Sequence, residues 1–400
     1  MTSSSTISSP PHTSSLPMTT TGTRNITDNH LYDLNDDVAR TLIPAMVYVG
    51  VTMLFGVFGN ALVCFVFIWK MKRGTQNFLI TSLAVFDLLS SLLAMPVEIA
   101  DMRFYYTFPS DVACKFLRFV NSLLAVSSIS TLMVIAVDRY LKVCRPLHTQ
   151  MQLREAKISV AVAVFTGLVF SWPAPVIYGL RIVETEIAGI VGENCNSLDG
   201  ILYLTYHVIL AVAFVIFTAA LAVLYGMVGM AAKRHKRYMR RISDVEISGR
   251  KKTSVSSLES STTCDVRLSD LDVAQTQPQP QPQPKPYPQP PTQQKQKGVH
   301  RMKNKTTVIG FTVTLVFVVS FLPFISLMAV GAFVKNFDYD LKGGSLVAYN
   351  VFVRSYFINS AANPFIYGVL NIRFRDESVT LLKKMLCCLK VISASAQTTP

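Results

Sequence analysis

Charge is scarce in this 400-residue chain: 16% of residues are Asp, Glu, Lys or Arg, and 50% are hydrophobic. Soluble domains carry about 25% charged residues, so with a mean hydropathy of +0.37 an ordinary soluble domain is excluded. Histidine is also thin. The six (His12, His30, His148, His207, His235, His300) are scattered, and no His/Asp cluster suggests a membrane metalloenzyme. The first 30 residues are rich in Ser, Thr and Pro and lack an apolar core, so no cleavable signal peptide is expected. The first membrane segment would then act as its own insertion signal. Inverted repeats and a continuous polar path, the marks of a transporter or channel, are missing as well.

What the chain has is seven apolar runs, at roughly 43–69, 77–100, 112–137, 157–180, 201–231, 306–334 and 345–370. Basic residues cluster after runs 1, 3 and 5: Lys70, Lys72 and Arg73; Lys142, Arg145, Arg154 and Lys157; Lys233, Arg234, Lys236, Arg237, Arg240 and Arg241. The loop after run 4 is acidic, with Glu184, Glu186, Glu193 and Asp199. This bias predicts an extracellular N-terminus, a cytoplasmic C-terminus and a plasma-membrane location. It also accounts for the net charge of +14 as anchoring at the inner leaflet, not a nucleic-acid surface.

The expected fold is an all-α membrane protein, a seven-transmembrane helix bundle with an amphipathic eighth helix on the inner leaflet. Residues 1–40 read as a disordered extracellular tail, 41–232 as helices 1–5 and 233–303 as a disordered third intracellular loop. Residues 304–370 read as helices 6 and 7, and 371–400 as helix 8 with a short tail. Asn25-Ile26-Thr27 is a glycosylation sequon on the outside, whereas Asn304-Lys305-Thr306 faces the cytoplasm. Of seven cysteines, Cys114 and Cys195 alone fall on the oxidising side, so they are expected to pair. Cys387 and Cys388 end a basic amphipathic segment and suit palmitoylation.

Several polar residues sit where they cost most. An ionisable residue near membrane depth costs roughly 2.5–3.5 kcal/mol and is a functional candidate. Asp138-Arg139-Tyr140 closes run 3, and Asp87 lies in mid-run 2. Near Asp87, the oxygens of Asn60, Ser128, Asn359, Ser360 and Asn363 could ligate a small hard cation such as sodium. A water-filled network around a protonated Asp87 is the alternative. Pro96, Pro173, Pro175, Pro323 and Pro364 predict kinks, and those in runs 6 and 7 are candidate hinges.

In order along the chain stand Gly59-Asn60, Leu83-Ala84-x-x-Asp87, Cys114, Asp138-Arg139-Tyr140 with Pro146-Leu147, and Cys195. Then follow Tyr225, Phe317-x-x-Ser320-Phe321-Leu322-Pro323, Asn363-Pro364-Phe365-Ile366-Tyr367 and Phe374. With these motifs residues 40–390 resemble a rhodopsin-family G-protein-coupled receptor, loosely like cholecystokinin- and orexin-type neuropeptide receptors. The resemblance implies that Asp138 holds Arg139 at rest and that Arg139 meets a heterotrimeric G protein when active. It implies that Tyr225 and Tyr367 swing toward Arg139, that Leu147 plugs into the G protein, and that Asp87, Ser128, Asn359, Ser360 and Asn363 form a sodium pocket. Arrestin and receptor kinases are implied partners. No enzymatic activity and no other cofactor are expected.

The departures are specific. The usual Trp of run 6 is Phe321, and the acid that would help clasp Arg139 is Lys303. Measurable ligand-independent signalling is therefore expected. Asn121 replaces the amine-pairing Asp, which disfavours an aminergic ligand, and run 7 has no Lys for retinal, with Phe357 in that place. A peptide is favoured; a small non-aminergic molecule is the alternative. The loop around Cys195 is long enough for a β-hairpin, with Arg181-Ile182-Val183-Glu184 as one arm. Asp28, Asp33, Asp36 and Asp37 would attract a basic ligand. Glu98, Asn121, His207 and Arg354 are pocket candidates, with Glu98 and Arg354 either paired or meeting the ligand. The Gln/Pro repeat from Gln277 to Pro291 favours a polyproline spacer, and Ser243, Thr253 and Ser254 are candidate phosphorylation sites in basic surroundings.

Overall fold

The computed structural model describes residues 20–185, 187, 189–197, 200–256, 293–334, 337 and 341–396. Among these, six helices are long and apolar enough to cross a membrane, at Ile43–Lys70, Thr75–Arg103, Asp111–Cys144, Leu153–Ile177, Ile201–Arg234 and Val308–Gly331. We number them spans 1 to 6. A helix satisfies all its own backbone groups, which hydrocarbon demands. Span 3 is the central post and packs against spans 2, 4, 5 and 6. Its start is fixed by Ser110, whose hydroxyl accepts from the Ala113 amide at 3.3 Å.

Span 7 is not one helix. It is split into Gly343–Val353 and Phe357–Leu370, with a break at Arg354, Ser355 and Tyr356. Through the break the backbone switches to i→i+3 bonds, Ser355 N to Phe352 O at 3.1 Å and Phe357 N to Arg354 O at 3.2 Å. No proline causes it, since Pro364 sits inside the second half. Two π-helical turns interrupt other spans, Val66–Lys70 in span 1 and Ser90–Ala94 just before Pro96 in span 2. Irregularity thus coincides with proline only in part.

Two segments expected to be disordered are helical in part. The tail expected over 1–40 contains a helix, Thr20–Thr41, that runs almost straight into span 1. Its buried Ala39 and Leu42 supply the apolar contact that composition alone hid. The loop expected over 233–303 is helical at both ends, because span 5 continues to Ser256 and the span 6 helix begins at Gln293. Cys264, Glu186, Asp199 and the Gln277–Pro291 repeat lie outside the described residues. So do the side chains of Asn25, Asp28, Ser243, Thr253, Ser254, Lys303 and Cys388.

The hairpin is present, as β1 (Tyr178–Glu184) and β2 (Val191–Ser197), antiparallel, with Leu180 opposite Cys195. The disulfide Cys114–Cys195 pins it to span 3. After span 7 an eighth helix, Ile372–Ala396, turns away and buries Phe374 against Phe67, rings 5.7 Å apart.

Candidate functional sites

Beneath the hairpin opens a vestibule of about 600 Å³. Its floor holds four charged side chains in one network. Arg354 Nε lies 2.9 Å from Glu98 Oε2, and its Nη2 lies 2.9 Å from Asp101. Arg118 reaches the same two acids, at 2.6 Å from Glu98 and 3.1 Å from Asp101. Asn121 donates to the Tyr356 hydroxyl at 2.8 Å and lies 3.4 Å from Glu98. Asn350 accepts from Arg354 at 2.6 Å. Glu98 and Arg354 therefore pair, as one of the two readings held, but within a larger cluster.

Of the acids expected to attract a basic ligand, two are already paired. Asp36 is tied to Arg103 at 2.8 Å and Asp37 to Arg40 at 3.2 Å. The vestibule is lined by Glu98 and Asp101 against Arg118, Arg181 and Arg354. The four charges on its floor are matched, two carboxylates against two guanidiniums. Arg118 and Asp101 were legible. Arg118 is an intramembrane charge four residues past Cys114, and Asp101 follows Glu98 by one helical turn, on the same face.

A second cavity of about 170 Å³ lies deeper, lined partly by Asn121, His207, Phe214 and Phe321. His207 is buried; one ring nitrogen lies 3.2 Å from the Tyr178 hydroxyl and the other 3.0 Å from the Tyr203 carbonyl. Burial pushes the Tyr178 phenol up, with Arg118 opposing. Below stands an aromatic layer: Phe317 and Phe321 with rings 4.7 Å apart, and Phe214 beside both. Ser355, in the break of span 7, donates to the Ser320 carbonyl at 2.7 Å. Pro323 lies inside the helix just above this layer.

Deeper still, Asp87 is fully buried. It accepts from Asn363 Nδ2 at 2.7 Å and the Ser360 hydroxyl at 3.0 Å, with the Ser128 hydroxyl at 3.4 Å. Asn60 donates to the Ser360 carbonyl at 2.8 Å. The amide oxygens of Asn60, Asn359 and Asn363 are buried without a hydrogen-bond partner. Asn359, grouped with the pocket from sequence, makes no direct bond to Asp87 among those described. Spare oxygens beside a carboxylate are the donor set a hard cation takes.

At the end of the bundle opposite the hairpin Asp138 and Arg139 form a buried ion pair. Lys142 lies 2.8 Å from Asp138, and Arg139 donates to Gln76 at 3.2 Å. The latch is therefore broader than Asp138 alone. Tyr225 and Tyr367 are buried nearby, around a residual cavity of only about 20 Å³. Tyr140 is half-buried, and Leu147 is 99% exposed, an apolar side chain with nothing on it.

Residues 59–367 match the sequence pattern of the 7 transmembrane receptor (rhodopsin family). The chain belongs to that family. The receptor is 25% identical to mouse neuromedin-U receptor 1 over 371 residues, which covers 90% of this chain and 78% of that relative. It is 32% identical to a QRFP-like peptide receptor of Branchiostoma floridae over 152 residues, 34% of this chain and 40% of the relative. It is 26% identical to mouse trace amine-associated receptor 4 over 316 residues, 77% and 75% respectively. The family is one of receptors, not enzymes.

Proposed function

We propose that this receptor binds an extracellular peptide in the vestibule and activates a heterotrimeric G protein at the Arg139 end. The observation that carries the peptide is the wide vestibule under a disulfide-pinned hairpin, whose floor of matched charges suits a polar chain end. Relatives named as neuromedin-U and QRFP-like peptide receptors point the same way. The trace amine relative favours a small amine instead. Against it stands Asn121, a neutral side chain where an ammonium would need a carboxylate, already bonded to Tyr356.

The steps follow from the contacts. A ligand end that competes for Glu98, Asp101, Arg118 or Arg354 loosens the ties on the break in span 7. The break is joined to Ser320, between Phe317 and Phe321, so its movement reaches the aromatic layer. Rearrangement there frees span 6, and Tyr225 and Tyr367 stabilise an Arg139 released from Asp138 and Gln76. Leu147 then has an apolar seat on the G protein. We propose that Asp87, Ser128 and Ser360 hold sodium, with Asn359 and Asn363 close by. Such an ion would supply positive charge beside a buried carboxylate.

The outside N-terminus, glycosylation at Asn25, palmitoylation at Cys387 and Cys388, and phosphorylation of Ser243, Thr253 and Ser254 for arrestin belong to the same reading. Membrane lipid would take the basic face of the eighth helix. The test is G-protein dissociation in cells exposed to a neuropeptide library. A peptide response lost in Arg139→Ala at normal surface expression is expected. A response to small amines but to no peptide overturns the peptide assignment.

A further inference from the structure

Asn35 is an anomaly of the N-terminal helix, a polar side chain 2% exposed in a segment that is otherwise hydrophilic. Its amide works as a two-pronged clamp on the first extracellular loop. Nδ2 donates to the Arg103 carbonyl at 3.1 Å, and Oδ1 accepts from the Tyr106 amide at 3.0 Å. The Arg103 carbonyl ends span 2, where a helix leaves acceptors unpaired. Buried groups of this kind need a partner. The neighbouring Asp36–Arg103 pair holds the same junction from outside.

The clamped segment continues into the lid. The Tyr106 carbonyl accepts from Glu193 N at 2.8 Å, and Phe108 N donates to the Glu193 carbonyl at 3.0 Å. Thr107 and Glu193 form an isolated parallel bridge, so residues 106–108 are tied to β2. The approach is close: a Cβ on Gly192 would stand 2.7 Å from the Tyr106 carbonyl oxygen. Two residues on, Cys195 is bonded to Cys114, and Arg118 of the charge cluster lies 3.4 Å from the Cys195 carbonyl. Tyr105, Asn194 and Cys195 all line the vestibule.

We infer that Asn35 is a positioning residue for the ligand site, and that the N-terminal helix braces the vestibule wall from behind through the path Asn35, Tyr106, Glu193, Cys195. The role is indirect, because Asn35 itself does not line the cavity. This rests on the vestibule being the binding site. The test needs no ligand, so it fails independently of the peptide assignment.

Amide hydrogen exchange of the full-length receptor in lipid nanodiscs reads the path directly. In Asn35→Ala, exchange at Tyr106–Phe108 and across 191–197 is expected to quicken about tenfold, with surface expression and thermal midpoint unchanged. Asn35→Asp keeps the acceptor for Tyr106 and loses the donor to Arg103, so it should fall between Ala and the parent. Faster exchange confined to 20–41 would overturn the proposal. A uniform rise over all spans with a lowered midpoint, or no difference between the two variants, would overturn it too.

Discussion

Arg354 ties three side chains of the vestibule together, Glu98, Asp101 and Asn350. It joins span 7 to both acids of span 2, and all four charges of the cluster are largely buried. Removing one partner of a buried pair costs about 3–5 kcal/mol, because the others are left uncompensated. Arg354→Ala should therefore lower surface expression and the thermal midpoint sharply. An exchange of charges, Glu98→Arg with Arg354→Glu, is expected to rescue little, since it places a guanidinium where Arg118 already reaches to 2.6 Å. Neutralising both, Glu98→Gln with Arg354→Gln, leaves Arg118 and Asp101 matched and should recover most of the loss. Full rescue by the exchange would show that the pair acts without Arg118.

Helices here meet through small residues, and the element scale shows it at spans 1 and 7. A Cβ on Gly59 would stand 2.6 Å from Pro364 Cγ, a rigid ring that cannot turn aside. Gly59→Ala should push the two spans apart and cost about 1–3 kcal/mol, measured as a lower thermal midpoint. At spans 5 and 6 the neighbour is softer. A Cβ on Gly310 would stand 2.7 Å from the Tyr225 hydroxyl, the free end of a side chain that can rotate. Gly310→Ala is thus expected to move Tyr225 more than the helices and to alter signalling more than stability. The elements were mostly readable beforehand, because apolar runs of membrane length leave little choice of structure. The exceptions have physical causes. The break at Arg354 answers a tertiary contact with Glu98 and Asp101. The helix over Thr20–Thr41 is held by Asn35 and Leu42, whose partners lie far along the chain.

Among the described residues, the bundle is closed at the Arg139 end and open under the hairpin. The Arg139 end keeps a residual cavity of about 20 Å³ against about 600 Å³ in the vestibule. Asp138→Asn should weaken the hold on Arg139 and raise ligand-independent G-protein activation several-fold, because only Gln76 then remains on Arg139 among the described contacts. Basal signalling equal to the parent at equal surface density would show that the pair is not the restraint. At this scale the sequence was informative about the two ends and silent about their linkage. Asp138-Arg139-Tyr140 and Asn363-Pro364-x-x-Tyr367 marked Asp138, Arg139 and Tyr367, which line one small cavity at the Arg139 end. The bond from the Ser355 hydroxyl to the Ser320 carbonyl, which lies between the two ends, ends on a backbone acceptor that no motif reveals.

The divided seventh span also bears on how the chain is built. Its outer piece, Gly343–Val353, has 11 residues, too few to cross a bilayer, and is followed by Arg354. On its own such a segment is a poor candidate for entry into lipid. It becomes acceptable once Glu98 and Asp101, made much earlier in synthesis, are in place to receive the guanidinium. Span 2 would then serve as a template for the last span, and a receptor lacking those acids would be expected to stall with its C-terminal segment outside the bundle before it ever met a ligand.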